Sequence, residues 1–476
     1  MRMRQSVVRS AHNLLAAAAL AGAVFAGSVA AQDRGGSDEV TLTLPQVRAV
    51  AREAVQNGDG KLAVLMARGL LQADPQDPYA LFILARGLEM QKHHGAGRRA
   101  AGRAFSASEK DADRFMAAQM AARMAYADRR YGLAQYWLRR SLDPAPTEAL
   151  KEQAISDFRR VRQENPWNTR YRITVQPTDN VNSGTENPYF VVDGLPWYGV
   201  HSPAAMALSG TEIRLEARSS YRLREDQASA TRLAGEFVTK RVRLSQEAKD
   251  AAPGADGDDF ASTRAEIGVD HRWAAGGDAR ANGVVGVTAA VGQAWYGGET
   301  SYAYGNVGLN RSFTLGENSL LSVRAEYERR EDAVAYFARS DHVQLRGDFR
   351  HRLPQAAALS MGLILDRADS DRGNVDVLHR TAYVSYDFGD VTGPVDLRLT
   401  LGARNTDYPR YFIGFFEAPG GRQDDAVFAS LDITFSEIDY AGFVPRVTLL
   451  TQRTSSNISR FETSSTALSF GIESKF

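Results

Sequence analysis

The sequence predicts an α+β multidomain fold: an N-terminal α-helical module, then an antiparallel transmembrane β-barrel of about 14 strands. Three observations carry this. The apolar period changes from helical to two near residue 166. The polar face of the period-two segments is dense in Arg, Asp and Glu, which a packed sandwich core could not bury unpaired. The chain closes on "TALSFGIESKF", with Leu468, Phe470 and Ile472 alternating before a terminal Phe476.

Residues 1–31 read as a secretory signal peptide. Arg2, Arg4 and Arg9 form a positive n-region, and an uncharged apolar stretch runs from Leu14 to Ala26. Val29 and Ala31 place small residues at a cleavage site before Gln32. Residues 32–43 are a linker. The chain has no cysteine, so it predicts no disulfide framework, thiolate metal site or lipid attachment of its own. Beyond the leader, no apolar run reaches the ~18 residues of a spanning helix. Net charge is +0 and 24% of residues are charged, values that a barrel with a polar lumen shares with a soluble protein.

Residues 44–165 are rich in Ala, Leu, Arg and Gln, which favour helix. Small residues recur before prolines. Ala63, Ala67 and Leu70 precede Pro75; Gly97, Ala101 and Ala104 occupy matching offsets; Ala134, Leu138 and Ser141 precede Pro146. The spacings from Ala63 to Gly97 to Ala134 are 34 and 37 residues. This is the tetratricopeptide (TPR) pattern: small residues let two helices approach, and the proline ends the second. Leu81, Leu84, Ala85 and Leu88 fit the first helix of the middle repeat. Most consensus Trp, Gly and Tyr positions carry Ala, so an alanine-rich helical bundle is the blander alternative. Residues 85–172 hold 18 Lys and Arg against 10 Asp and Glu. That excess suits acidic unfolded segments or an anionic membrane face, or is a solvated helix face. Nucleic acid is not an expected partner of an exported protein.

At "NPWNTRYRITVQPTDNVN" the pattern turns to strand. Pro166 ends the last helix, and Tyr171, Ile173 and Val175 alternate with Arg170, Arg172 and Thr174. In "GTEIRLEARSSYRLRE", Ile213, Leu215, Ala217 and Tyr221 oppose Glu212, Arg214, Glu216, Arg218 and Arg222. Short connectors such as "TLGENS" alternate with long polar ones such as "SQEAKDAAPGADGDD". Short periplasmic turns with long external loops, and an even strand number, place both barrel ends and the helical module in the periplasm.

Two stretches resemble the surface lipoprotein assembly modulator family. One is the junction where the chain enters the barrel, with Pro166 and Trp167 before the first strand and Asp179, Asn180 and Asn182 after it. The other is the terminal hairpin, with Ser455, Ser456, Asn457 and Ile458 at its tip. The resemblance covers nearly the whole mature chain. It implies an outer-membrane monomer without cofactor that delivers a surface lipoprotein or secreted client protein across the membrane. The terminal strand, ending in Phe476, resembles the signal read by the barrel assembly machinery, and outer-membrane lipid is the remaining partner. The resemblance implies no catalytic residues, and the departures in the helical repeats leave the client's identity open.

Other chemistry finds little support. His93 and His94 are adjacent in what reads as an interhelical loop, and His201, His271, His342, His351 and His379 lie apart without ligand spacing. No Ser or acid is singled out beside a His, so no enzyme is expected. "GAGRRAAG" lacks a preceding strand and reads as helix packing rather than a phosphate loop. The alternative readings are a TPR-barrel exopolysaccharide exporter and a porin-like channel; the helical module counts against a passive porin.

Overall fold

The computed structural model describes residues 42–195, 198–333, 339–438 and 443–474. The expected signal peptide, nearly all of the linker, and Phe476 lie outside the described residues. Seven helices come first: α1 (Leu44–Gln56), α2 (Gly60–Ala73), α3 (Pro78–Met90), α4 (His94–Ala107), α5 (Asp111–Ala127), α6 (Tyr131–Arg140) and α7 (Glu148–Glu164). Their starts follow from local chemistry. The Asp59 carboxylate accepts hydrogen bonds from Lys61 N and Leu62 N, and Asp77 caps a helix that begins on Pro78. His94 opens α4 and His93 is its N-cap residue, so the pair straddles a helix start instead of filling a loop.

Each helix packs on the next. Ala63 and Ala67 meet Ala51, Ala54 and Ile83 in one cluster; Ala85, Leu88 and Ala101 meet Met120 and Met124 in a second; Ala134 and Leu138 meet Phe158 and Val161 in a third. Gly97 marks the closest approach. A Cβ there would stand 2.5 Å from Met124 Sδ and 3.2 Å from the Ala85 carbonyl oxygen. Leu70 and Leu81 are buried, Leu84 is half-buried, and Pro75 and Pro146 are exposed in the connectors after α2 and α6. Between layers, Arg123 Nε donates to Glu89 Oε1 (2.8 Å) and Gln119 Nε2 to Ser141 Oγ (3.0 Å).

The barrel follows as fourteen antiparallel strands: β1 (Trp167–Thr178), β2 (Gly210–Glu225), β3 (Ser229–Leu244), β4 (Ser262–Ala274), β5 (Val284–Tyr296), β6 (Glu299–Leu315), β7 (Ser319–Asp332), β8 (Ser340–Arg352), β9 (Ala358–Ser370), β10 (Val377–Asp387), β11 (Asp396–Tyr408), β12 (Arg422–Thr434), β13 (Phe443–Ser456) and β14 (Thr463–Ser474). Each pairs with its chain neighbours, and β1 meets β14 to close the sheet. The expected fold class is the observed one. Ser455 and Ser456 are not at the terminal hairpin's tip. They are the last residues of β13, paired with Asp425 and Asp424, because the ladder with β12 continues to that point; the tip begins at Asn457.

Alternation sorts the two faces. On β4, Ile267 and Val269 point out while Arg264, Glu266, Asp270 and Arg272 point in; on β7, Val323 and Tyr327 oppose Arg324, Glu326, Glu328 and Arg330. Outward apolar side chains such as Val291, Leu363 and Val427 are more than 60% exposed. A band of this kind around a closed sheet is costly in water and suited to lipid, and closure leaves no unpaired edge in the hydrocarbon. Many of the inward charges are paired. Glu328 is held by Arg264 (2.8 Å) and Arg330 (2.6 Å), and Asp424 by Arg422 (2.6 Å). The chain is an outer-membrane β-barrel. Among the described residues no helix is long and apolar enough to cross a membrane.

Candidate functional site

The helical module and the barrel meet at the end where β1 begins and β14 finishes. The C-terminus of α7 is fixed to β2: the Arg222 guanidinium donates to the carbonyl oxygens of Gln163 (2.8 Å) and Glu164 (3.0 Å), and Arg222 N donates to Pro166 O (2.8 Å). A cation at these otherwise orphaned carbonyls is favoured by the helix dipole. Asn165 Oδ1 accepts from Trp167 N (3.0 Å), and the Trp167 and Tyr221 rings meet edge-on at 4.9 Å. On the other flank the Arg139 guanidinium lies between the rings of Phe158 on α7 (4.9 Å) and Phe443 on β13 (4.8 Å). Pro166 is therefore the short bridge between modules and Trp167 its aromatic anchor.

These contacts enclose a cleft of about 1000 Å³ walled by α6, α7, the start of β1, and residues of β2, β13 and β14. Six arginines line it: Arg139, Arg140, Arg162, Arg170, Arg172 and Arg218. Among the described residues its two carboxylates are already engaged, Glu216 by Arg214 (2.8 Å) and Arg172 (3.8 Å), and Glu473 by Arg446 (3.1 Å). Arg218 pairs with Glu236 (2.9 Å). Among the described residues no carboxylate pairs with Arg140, Arg162 or Arg170. Arg170 stands directly opposite Arg218 across the β1–β2 ladder, a like-charge pairing that costs stability unless an anion offsets it. Burial, and then the Arg170 charge, push the Arg162 guanidinium below its ordinary value. A second cavity of about 690 Å³ lies inside the lumen and shares Asn168, Arg170 and Arg218 with the first, so the cleft adjoins the barrel interior at these residues.

The opposite end is closed differently. Asn180 and Asn182, expected where the chain leaves the first strand, shape the long β1–β2 loop. Asn180 Nδ2 donates to Gly184 O (2.8 Å), and Asn182 Nδ2 to Met206 O (2.7 Å). That loop is tied to the β13–β14 loop. Thr185 Oγ1 donates to Ser459 O (2.9 Å), Ser459 Oγ donates to Tyr189 O (2.8 Å), and Val192, Ala418 and Ile458 form a buried cluster. Burial depresses the basicity of His201 in this loop, with Arg460 adding to the effect.

Of the predicted positions, Leu468, Phe470 and Ile472 lie on the outward face of β14, and the helical small residues lie in the module core; neither group faces the cleft. Arg139, Arg162 and Phe443 escaped the sequence reading, and Arg222 was read only as one of the polar-face residues of its strand. The cationic excess over residues 85–172 was the one signal for Arg139 and Arg162, and it marked a sign of charge without a place. Among the described residues no group of three His, Asp or Glu is placed to hold a metal ion.

The chain matches no family model and no curated protein sequence. Its structural neighbours are outer-membrane β-barrel proteins. A loop L8 deletion mutant of OmpT, an outer membrane protein of Vibrio cholerae, is 11% identical over 65% of this chain and 99% of that one, with a TM-score of 0.33. A BenF-like porin from Pseudomonas fluorescens Pf-5 is 11% identical over 64% and 99%, with a TM-score of 0.34. A bacterial polysaccharide outer membrane secretin is 9% identical over 65% and 98%, with a TM-score of 0.31. At these values no functional feature transfers to this chain.

Proposed function

We propose that this outer-membrane channel protein delivers a client polypeptide, a surface lipoprotein or a secreted protein, across the outer membrane. The helical module, read as TPR-like, receives the client in the periplasm and passes it to the barrel. The observation that carries this reading is the cleft between module and barrel, because it adjoins the polar lumen at Asn168, Arg170 and Arg218. A passive pore has no need of a docked helical module at its mouth. The long loops lie at the end away from the helices, which orients the helices toward the periplasm. Nucleotide is not available there, so client folding or binding outside supplies the bias of an otherwise reversible passage.

The test is surface labelling of a co-expressed exported lipoprotein encoded beside this chain. Labelling is expected only when the full chain is present, and loss of residues 44–165 is expected to abolish it while the barrel still assembles. Equal labelling without the chain overturns the reading. The arginine-lined cleft also suits an acidic polysaccharide; export of such a polymer, with no effect on any lipoprotein, supports that second reading instead.

A further inference from the structure

The closing seam of the barrel is uneven. β1 pairs with β2 at twelve positions, from Trp167↔Tyr221 to Thr178↔Gly210. It pairs with β14 at four: Ile173↔Ile472, Thr174↔Gly471, Val175↔Phe470 and Thr178↔Ala467. Pro177 interrupts the ladder because it has no N–H to donate. Toward the helical end, Tyr171 and Arg172 have no partner on β14, although Ser474 and Glu473 stand in register with them. The far end of the same seam is held by Thr185, Ser459 and the apolar cluster around Ile458. Among the described residues the seam is therefore tied outside and loose beside the helices.

The loose portion faces the arginine cleft. Six consecutive residues, Trp167 to Arg172, line that cleft. Successive strand residues point to opposite faces, so one cavity can touch all six only if it runs along the strand's edge. Among the described residues this edge is open at Tyr171 and Arg172, where it presents backbone donors and acceptors that an incoming extended chain can satisfy by strand addition. Arg162 and Arg170 flank the edge without carboxylate partners among the described residues, and guanidinium groups take carboxylates in paired hydrogen bonds. Trp167 and Phe443 add apolar surface.

We propose that the cleft-facing edge of β1 captures an extended, acidic segment of an exported polypeptide by adding it as a strand, with its Asp or Glu side chains received by Arg162 and Arg170. This deepens the delivery reading and rests on it for the origin of the segment. A polysaccharide could meet the arginines but not the backbone ladder, which is why a polypeptide is favoured.

The full chain in detergent or nanodiscs is titrated with a fluorescent ten-residue peptide alternating Glu with Val or Thr. Binding is expected for this peptide. Its Lys-for-Glu counterpart, and a version N-methylated at alternate residues on one edge, are each expected to bind at least about tenfold more weakly. Arg162→Glu and Arg170→Glu are expected to weaken the acidic peptide by a similar factor. Arg170→Gln serves if charge reversal prevents assembly, which unboiled-gel mobility reports. With Thr169→Cys in this cysteine-free chain, a cysteine-bearing acidic peptide is expected to form a mixed disulfide. Equal binding of the N-methylated and unmodified peptides overturns strand addition, as does a polyuronate oligosaccharide binding as tightly as the peptide. If the peptide does not bind while the client still reaches the surface, this inference falls and the delivery reading stands. If the peptide binds and no client is delivered, the reverse holds.

Discussion

Gly97 and Gly69 show how one substitution takes opposite signs on two helices. Glycine costs a helix interior about 1 kcal/mol relative to alanine, so Gly→Ala begins with a gain of that size. At Gly69 on α2 nothing lies within 4 Å of an added Cβ, and the gain is kept. At Gly97 the methyl meets Met124 Sδ at 2.5 Å and the Ala85 carbonyl oxygen at 3.2 Å. Met124 can turn aside, but the carbonyl belongs to a helix backbone, and overpacking typically costs about 1–3 kcal/mol. Gly69→Ala is expected to raise the thermal midpoint of the helical module and Gly97→Ala to lower it; a rise in both would show that α3 and α4 are not in close contact. Arg222→Ala removes charge-assisted bonds from the last turn of α7. At about 1.5–3 kcal/mol for bonds of this kind, amide exchange at Gln163–Asn165 is expected to accelerate about tenfold or more, and unchanged exchange would show the docking to be incidental. The core role of Gly97 was legible because a small residue at a repeat spacing reports on its own helix pair. Arg222 was not, because its partners lie 58 and 59 residues earlier and no periodicity links them.

Among the elements, the α3–α5 contact carries a pH signature. Burial alone would raise the Glu89 carboxyl, but Arg123 and Arg86 outweigh it and hold Glu89 below its ordinary value of 4.5. A depressed carboxyl binds fewer protons folded than unfolded. Its stabilisation is therefore complete above the ordinary value and is lost as pH falls through the lower, folded one. Residues 32–165 expressed alone are expected to be soluble and helical by circular dichroism. Their thermal midpoint should fall on acidification below about pH 4.5. Glu89→Gln should lower the midpoint at neutral pH and flatten that acid limb. A β-rich spectrum would contradict the helical assignment, and an acid limb identical in wild type and variant would show that Glu89 does not couple to folding. Strands were legible for a related reason. Ile173 and Val175 alternate with Arg172 and Thr174, and that alternation is local. Which edges stay open is not local: the seam depends on the register of β1 against a strand nearly 300 residues away. Pro177 is the exception, since a proline within a strand signals an edge from the sequence alone.

At the scale of the whole molecule, the question is whether a lipidated client leaves the barrel sideways or through its lumen. An acyl chain crossing a charged lumen loses its apolar surroundings, whereas a seam opening into the bilayer keeps them. Among the described residues the β1–β14 seam has the fewest ladder positions of any strand pair in the barrel, and its unpaired positions Tyr171 and Arg172 lie beside the module that would present the client. Val175 and Phe470 are direct partners across it, and directly opposed antiparallel residues have Cα atoms about 4.5–5.5 Å apart, within reach of a disulfide. The double variant Val175→Cys, Phe470→Cys has no competing thiol, because the chain contains no cysteine. Oxidation is expected to lock the seam and block surface arrival of a lipidated client, reduction to restore it, and each single variant to behave as wild type under both conditions. The same lock should leave a client without an acyl chain largely unaffected if that client uses the lumen. Equal surface arrival of the lipidated client with the seam oxidised and reduced would exclude lateral exit and assign its passage to the lumen or to another protein.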